Sequence, residues 1–330
     1  MTDSQRIEKL KTKNTKVGLL LNPKGGQASK RDTAIRHVLC EMSNITVREA
    51  CMAIEFKTSL DSLLQADIDL LVIVAGDGTI HATLSHLFTA YPVDQWPVLL
   101  LVPGGTTNMT ALDLGIRGKP DQVLQRLKTF LAQPSKPTLL TRPALCIEQT
   151  GKDKIYGMFF AIGLVARGVK FSRSSVKKIG ITGGIFTVLI MLRSLFGMIL
   201  GKHQSEWAPV ELSTTQADGE TRKKTYLFAL VSALDCLLLN IRPYWGTENA
   251  PLHVTLVDQQ RKRLWRSLWP LLSGRGHTLN EQDGYHSHNT QAIEFLMDDE
   301  YIVDGELYQA SSQNGPIRIS ATEPVTFLVI

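Results

Sequence analysis

Residues 69–74 read Asp-Leu-Leu-Val-Ile-Val and run straight into Ala75-Gly76-Asp77-Gly78-Thr79. A strand with one wet face alternates apolar and polar residues, and this run does not. It reads as a parallel strand buried on both faces, which requires helices on both sides. The same order occurs twice more. Residues 16–21, Lys-Val-Gly-Leu-Leu-Leu, end on Asn22-Pro23-Lys24-Gly25-Gly26, and the apolar run 97–102 ends on Pro103-Gly104-Gly105-Thr106. Helical spacing follows each turn: over 29–40 with Ser29 as N-cap, over 80–88, and again after the third turn. Residues 45–56 hold another strand and 60–66 a short helix. The reading is an α/β domain with a parallel sheet over residues 16–136, preceded by a polar tail at 1–15.

The pattern changes after Pro137. Strand-like segments at 138–147, 156–162, 226–233, 252–257, 292–297 and 316–319 follow one another with helical spacing only at 179–200 and 262–272. Such a succession predicts an antiparallel, β-rich, sandwich-like second domain over 137–330. The polar stretch 132–136 joins the two domains, and the extreme C-terminus is expected to pack back on the first. Segment 179–200 is strongly apolar but carries Arg193 in its middle. A central arginine costs a spanning helix about 2.5–3.5 kcal/mol, so a buried or interfacial helix is expected there.

The chain has 330 residues, 43% of them hydrophobic and 20% charged, which excludes wholesale disorder. Its net charge of +5 suits contact with phosphates or an anionic membrane surface and is not the signature of a nucleic-acid binder. Cys40, Cys51, Cys146 and Cys236 form no CxxC pair, and they read as free thiols of a reducing compartment. No apolar run follows Met1, so a cytoplasmic protein in peripheral contact with membrane is expected, with a homodimer allowed.

Turns at the carboxyl ends of parallel strands gather where open sheets bind ligands. Glycines let the backbone approach a phosphate, and the N–H groups at helix N-termini attract its charge. Asp77 cannot bind phosphate directly. It reads as a Mg²⁺ ligand or as an orienter of an acceptor hydroxyl, against the plainer reading of Asp-Gly as turn chemistry. Thr79 offers a hydroxyl and a helix cap together. Neither GxxxxGK[ST] nor GxGxxG is present, which excludes the Walker-type and the common dinucleotide sites. In the second domain, Asp304 and Glu306 flank Gly305. On an extended strand they would share one face; a tight turn at Gly305 is the alternative. His277, His286 and His288 read as a polar loop. Arg261-Lys262-Arg263, with Trp265, Arg266 and Trp269, reads either as a contact for an anionic membrane or as a surface helix with packed tryptophans.

Taken in order, Asn22-Pro23-Lys24-Gly25-Gly26, Gly76-Asp77-Gly78-Thr79, Pro103-Gly104-Gly105-Thr106-Thr107-Asn108 and Asp304-Gly305-Glu306 resemble the diacylglycerol kinase catalytic-domain family, which includes bacterial lipid kinases and sphingosine kinases. The resemblance implies a first domain like those of NAD kinase and phosphofructokinase, a β-sandwich-like second domain, and ATP and Mg²⁺ as cofactors bound in the cleft between them. It implies an ATP-dependent kinase of a diacylglycerol-like lipid; a kinase of a soluble alcohol and a non-catalytic nucleotide- or lipid-binding regulator are the alternatives. Asn22, Gly25, Gly26, Thr58, Gly76, Asp77, Gly78, Thr79, Thr106 and Asn108 match nucleotide-contacting positions. Glu306, with Asp304 beside it, matches the general base. Three departures stand out. Ala75 replaces a glycine, Met109 replaces an aspartate, and residues 246–252 lack the acidic turn that holds a structural Mg²⁺ in some members.

Overall fold

The computed structural model describes residues 3–10, 14–133, 137–170, 210–215 and 221–330. The apolar segment 179–200 lies outside them. Among the described residues, no helix is long and apolar enough to cross a membrane. The chain forms two units, Met1–Arg142 with Glu323–Ile330, and Pro143–Thr322.

The first unit is a six-stranded sheet. Strands β1 (Val17–Leu21), β2 (Ile45–Glu49), β3 (Leu70–Ala75) and β4 (Val98–Pro103) are parallel, in the order β2-β1-β3-β4. Every residue of β1, β3 and β4 is buried, as their unbroken apolar sequence requires. Strand β5 (Thr138–Arg142) belongs to this sheet too. The expected strand at 138–147 is in fact two strands. Pro143, which has no N–H for a ladder, separates β5 from β6 (Leu145–Glu148) of the second unit. The C-terminal strand returns to this sheet at Val325–Val329, parallel to β4 and antiparallel to β5.

Two helical boundaries differ from the sequence reading for local reasons. Residues 29–40 belong to two helices, Gly26–Lys30 and Asp32–Cys40, with Ser29 inside the first rather than capping it. The break falls at Arg31, whose guanidinium grips Asp121 of the helix Pro120–Ala132 at 2.8 and 2.6 Å. The helix expected at 60–66 starts earlier and spans Ala53–Gln65, because the Glu55 carboxylate accepts the amides of Cys51 (2.8 Å) and Met52 (3.1 Å).

The second unit is one hydrogen-bonded sheet of eleven strands, its pairings all antiparallel, in keeping with the β-rich reading of the sequence. After β6 come β7 (Ile155–Gly157), β8 (Phe159–Gly163), β9 (Val210–Thr215) and the long β10 (Thr221–Ser232). Then follow β11 (Leu252–Asp258), β12 (Tyr285–Thr290), β13 (Ala292–Leu296), β14 (Glu300–Val303), β15 (Glu306–Gln309) and β16 (Ile317–Ala321). Strand β10 is the spine. It pairs with β9 through its first half, with β8 through its second, and with β11 from Tyr226 onward. The expected polar loop around His277, His286 and His288 is only partly a loop. His286 and His288 lie on β12, opposite Leu256 and Val254 of β11, so backbone pairing overrides the polar composition.

The Arg31–Asp121 pair generates a prediction about pH. The hydrogen bonds from Arg31 hold the Asp121 carboxyl below its usual range. A depressed folded-state pKa gives stability that is full above the unfolded value, about 3.9, and is lost as pH falls through the folded value. Asp121→Asn is therefore expected to lower the urea midpoint at pH 7. That difference should shrink as pH falls below the unfolded value and through the depressed folded-state value, measured as paired urea titrations across pH.

Candidate functional site

The sheet order reverses direction at β1. The chain passes from β1 to β2 on one side, then crosses back to β3 and β4 on the other. Such a reversal opens a crevice at the carboxyl ends of the strands, and the turns after β1, β3 and β4 all lie at these ends. They also touch. The Gly104 carbonyl accepts the amides of Gln27 (2.9 Å) and Ala28 (2.8 Å), and the Asn22 amide donates to the Val74 carbonyl at 3.0 Å. A Cβ on Gly105 would stand 2.3 Å from the Gly76 Cα, and one on Gly25 would stand 2.8 Å from the Gly104 carbonyl oxygen. These glycines were expected to admit a phosphate. Their first effect is to let the turns pack on one another. Ala75, by contrast, is an ordinary residue at the end of β3, which is why alanine serves there.

The side chains of the turns join them further. The Asn22 amide donates to the Thr79 hydroxyl at 3.1 Å, tying the first turn to the second. The helix Asp77–Ala90 is capped by Gly76, and Thr79 sits within its first turn rather than at the cap. Asp77 is buried. Its carboxylate accepts the Thr107 hydroxyl (2.5 Å) and the amides of Met109 (3.1 Å) and Thr110 (3.3 Å), so it seats the helix Met109–Asp113. Asn108 is also buried, in a left-handed conformation at φ 50°. It accepts the Gly105 amide at 2.7 Å and donates to the Gly105 carbonyl at 3.0 Å, closing the third turn on itself. Thr58 lies apart, exposed on the helix Ala53–Gln65, its hydroxyl donating to the Ile54 carbonyl at 3.2 Å.

The turns also leave a set of donors unused. The amides of Gly26, Gly78, Thr106 and Thr107 take no hydrogen-bond partner among the described residues, and Gly26, Gly78 and Thr106 are exposed. They come from all three turns and from the positive end of a 14-residue helix. Unpaired N–H groups on neighbouring turns beside a helix N-terminus suit a polyanion such as a chain of phosphates.

The residues fit a protein-held metal less well. The carboxylate expected to bind Mg²⁺, Asp77, already takes three donors. Among the described residues, no group of three or more His, Cys, Asp or Glu is placed to hold a metal ion. In the region 246–250, the Asn289 side chain donates to the carbonyls of Gly246 (3.2 Å) and Glu248 (2.9 Å), and the Asn289 amide donates to the Glu248 carboxylate at 2.7 Å. Hydrogen bonds from Asn289 therefore hold this turn.

In the second unit, Asp304 and Gly305 have φ of 49° and 90° and form the tight turn of the β14–β15 hairpin, which pairs Val303 with Glu306. The Asp304 carboxylate accepts the amides of Met158 (3.0 Å) and Phe159 (3.0 Å), which fixes the hairpin to β8. Glu306 is half-buried at the start of β15. Tyr308, two residues on, shares its face and stacks on Tyr301 with ring centres 5.4 Å apart. Burial, then the charges of Glu306 and Asp304, push the Tyr308 phenol up. Burial pushes the Tyr301 phenol up to about 12. Sequence reasoning missed Tyr308, although the period of two from Glu306 was the signal for it. It also missed Thr107, which only the packing of two turns brings to Asp77.

Comparison with known proteins agrees with this geometry. Residues 16–136 match the family model described as the diacylglycerol kinase catalytic domain. A proposed diacylglycerol kinase of Bacillus anthracis str. Sterne superposes with a TM-score of 0.66 at 18% identity, over 94% of each chain. A diacylglycerol kinase of the same organism gives 0.62 at 14% identity, over 97% of this chain and 98% of that one. A yeast NADH kinase complexed with NADH gives 0.51 at 12% identity, over 96% of this chain and 84% of that one. No curated protein matches the sequence. At these identities the solved structures establish the fold: a parallel α/β unit of NAD-kinase type followed by an antiparallel β unit. With its three glycine turns and its matched sequence, the segment 16–136 of this chain is similar to the diacylglycerol kinase catalytic domain.

Proposed function

We propose that the protein is an ATP-dependent kinase of a lipid alcohol of the diacylglycerol class. The observation that carries this reading is the unpaired donor set of Gly26, Gly78, Thr106 and Thr107, drawn from three turns within a segment that matches a kinase-family model. Backbone N–H groups that are already in place stabilise negative charge without reorganising, and phosphoryl transfer depends mainly on positioning and such stabilisation. The acceptor oxygen forms a bond to the γ-phosphorus, the bond to the β,γ-bridging oxygen breaks, and ADP leaves. Glu306 takes the acceptor proton. Mg²⁺ enters this reading with ATP, since it is commonly held by substrate phosphates and only one or two carboxylates. Asp77 and Asn108 act here as positioning residues that keep the third turn in register, and Asp304 sets the hairpin that presents Glu306.

Purified protein with Mg-ATP is expected to release ADP in the presence of diacylglycerol or a related lipid alcohol. ADP release with NAD or NADH and none with any lipid would overturn the lipid reading, while ATP binding without turnover on either would leave only a regulator. Glu306→Gln should lower kcat by about 10²–10⁴ with ATP affinity unchanged, as measured by direct nucleotide titration. Asp77→Asn behaves differently. An amide in place of the carboxylate faces three donors with fewer acceptor sites, which should cost about 1–3 kcal/mol of stability and weaken ATP binding. Thermal melts and the same titration separate the two variants.

A further inference from the structure

The helix Leu264–Leu272 of the second unit buries Ser267 and Leu271, yet presents two tryptophans to solvent. Trp265 is 47% exposed and Trp269, one turn later, 70% exposed. A third large apolar side chain, Leu239, is 55% exposed on a neighbouring 3₁₀ turn, Leu238–Asn240. That turn adjoins the end of the helix, because the Arg242 amide donates to the Leu272 carbonyl at 3.1 Å and Arg242 bridges to Ser273. Exposed apolar surface drawn from adjoining segments marks an interaction face.

The charge around it is one-sided. Residues 259–280 contain Arg261, Lys262, Arg263, Arg266 and Arg275 and no Asp or Glu. Lys262, Arg263, Arg266, Arg275 and also Arg242 are exposed. Asp258 and Glu281 border the segment, and Asp283 lies 3.9 Å from Lys262. Helix stability does not call for this pattern. Cations before and within the first turn oppose the helix dipole, and no acidic residue offsets them there. Their placement fits an external anion better than an internal one.

We propose that this Trp–Arg face docks on an anionic bilayer surface, with Trp265, Trp269 and Leu239 at headgroup depth and the arginines against lipid phosphates. Nine residues of helix span about 14 Å, less than half a hydrocarbon core, so the helix lies on the membrane rather than across it. A second copy of the chain is a poorer occupant, since a two-fold contact would set the basic patch against itself. The proposal goes beyond the kinase reading and requires neither ATP nor turnover.

The test is sedimentation of the full chain, without nucleotide, with vesicles of phosphatidylcholine alone or with about one third phosphatidylglycerol. Expected are binding to the anionic vesicles only, loss of that binding at 0.5 M salt, and a blue shift of tryptophan emission on binding. Trp265→Ser/Trp269→Ser should weaken binding at least tenfold with an unchanged far-UV circular dichroism spectrum, and Trp269→Ser alone should weaken it severalfold. Equal binding by wild type and both variants would overturn the proposal, as would equal affinity for neutral vesicles. So would a dimer that dissociates when the tryptophans are replaced, because the face would then be an interface between copies.

Discussion

The close approach of Gly76 and Gly105 is the constraint on which the first unit's site depends. With a Cβ of Gly105 only 2.3 Å from the Gly76 Cα, neither turn could keep its position beside the other. Because they do touch, the Gly104 carbonyl reaches the start of the helix Gly26–Lys30, and Asp77 reaches the start of the helix Met109–Asp113. Two helices are thereby aimed by contacts between turns. The amides of Gly26, Gly78, Thr106 and Thr107 are left without a partner in this packing among the described residues.

The second unit shows the same economy of function in a different setting. Asp304 occupies a left-handed position that aspartate tolerates better than most residues, beside a glycine that completes the hairpin turn. Its carboxylate is directed to the backbone of β8, and Gly157 leaves the room this needs: a Cβ there would lie 2.7 Å from an Asp304 oxygen. Glu306 and Tyr308 are left sharing one half-buried face of β15. The chemistry of the hairpin therefore falls to a different carboxylate from the one that builds it.

Much of the fold was legible in the sequence, and the reasons are specific. Strands β3 and β4 announce themselves because burial on both faces leaves no polar position in them. Breaks were harder to read. The helical pattern breaks at Arg31, whose partner Asp121 lies 90 residues away, so no local window contains both. Pro143 divides an apolar stretch between two units, a division visible only once the C-terminal strand is seen beside β5. The strand β12 reads as a polar loop because its membership rests on the ladder to β11 rather than on its side chains.

By itself, the sequence determined the three strand–turn–helix repeats, the α/β-then-β order and the positions of the glycines, since these follow from local periodicity and backbone freedom. It also placed Glu306 two residues from Asp304. The tertiary structure decided what those residues do. Asp77 and Asn108 look alike in sequence to ligand-binding groups, yet both bind the protein's own backbone, because two turns separated by about thirty residues meet at the ends of the neighbouring strands β3 and β4. A local pattern can specify that a turn exists. Which donors it turns toward solvent depends on the turns packed against it.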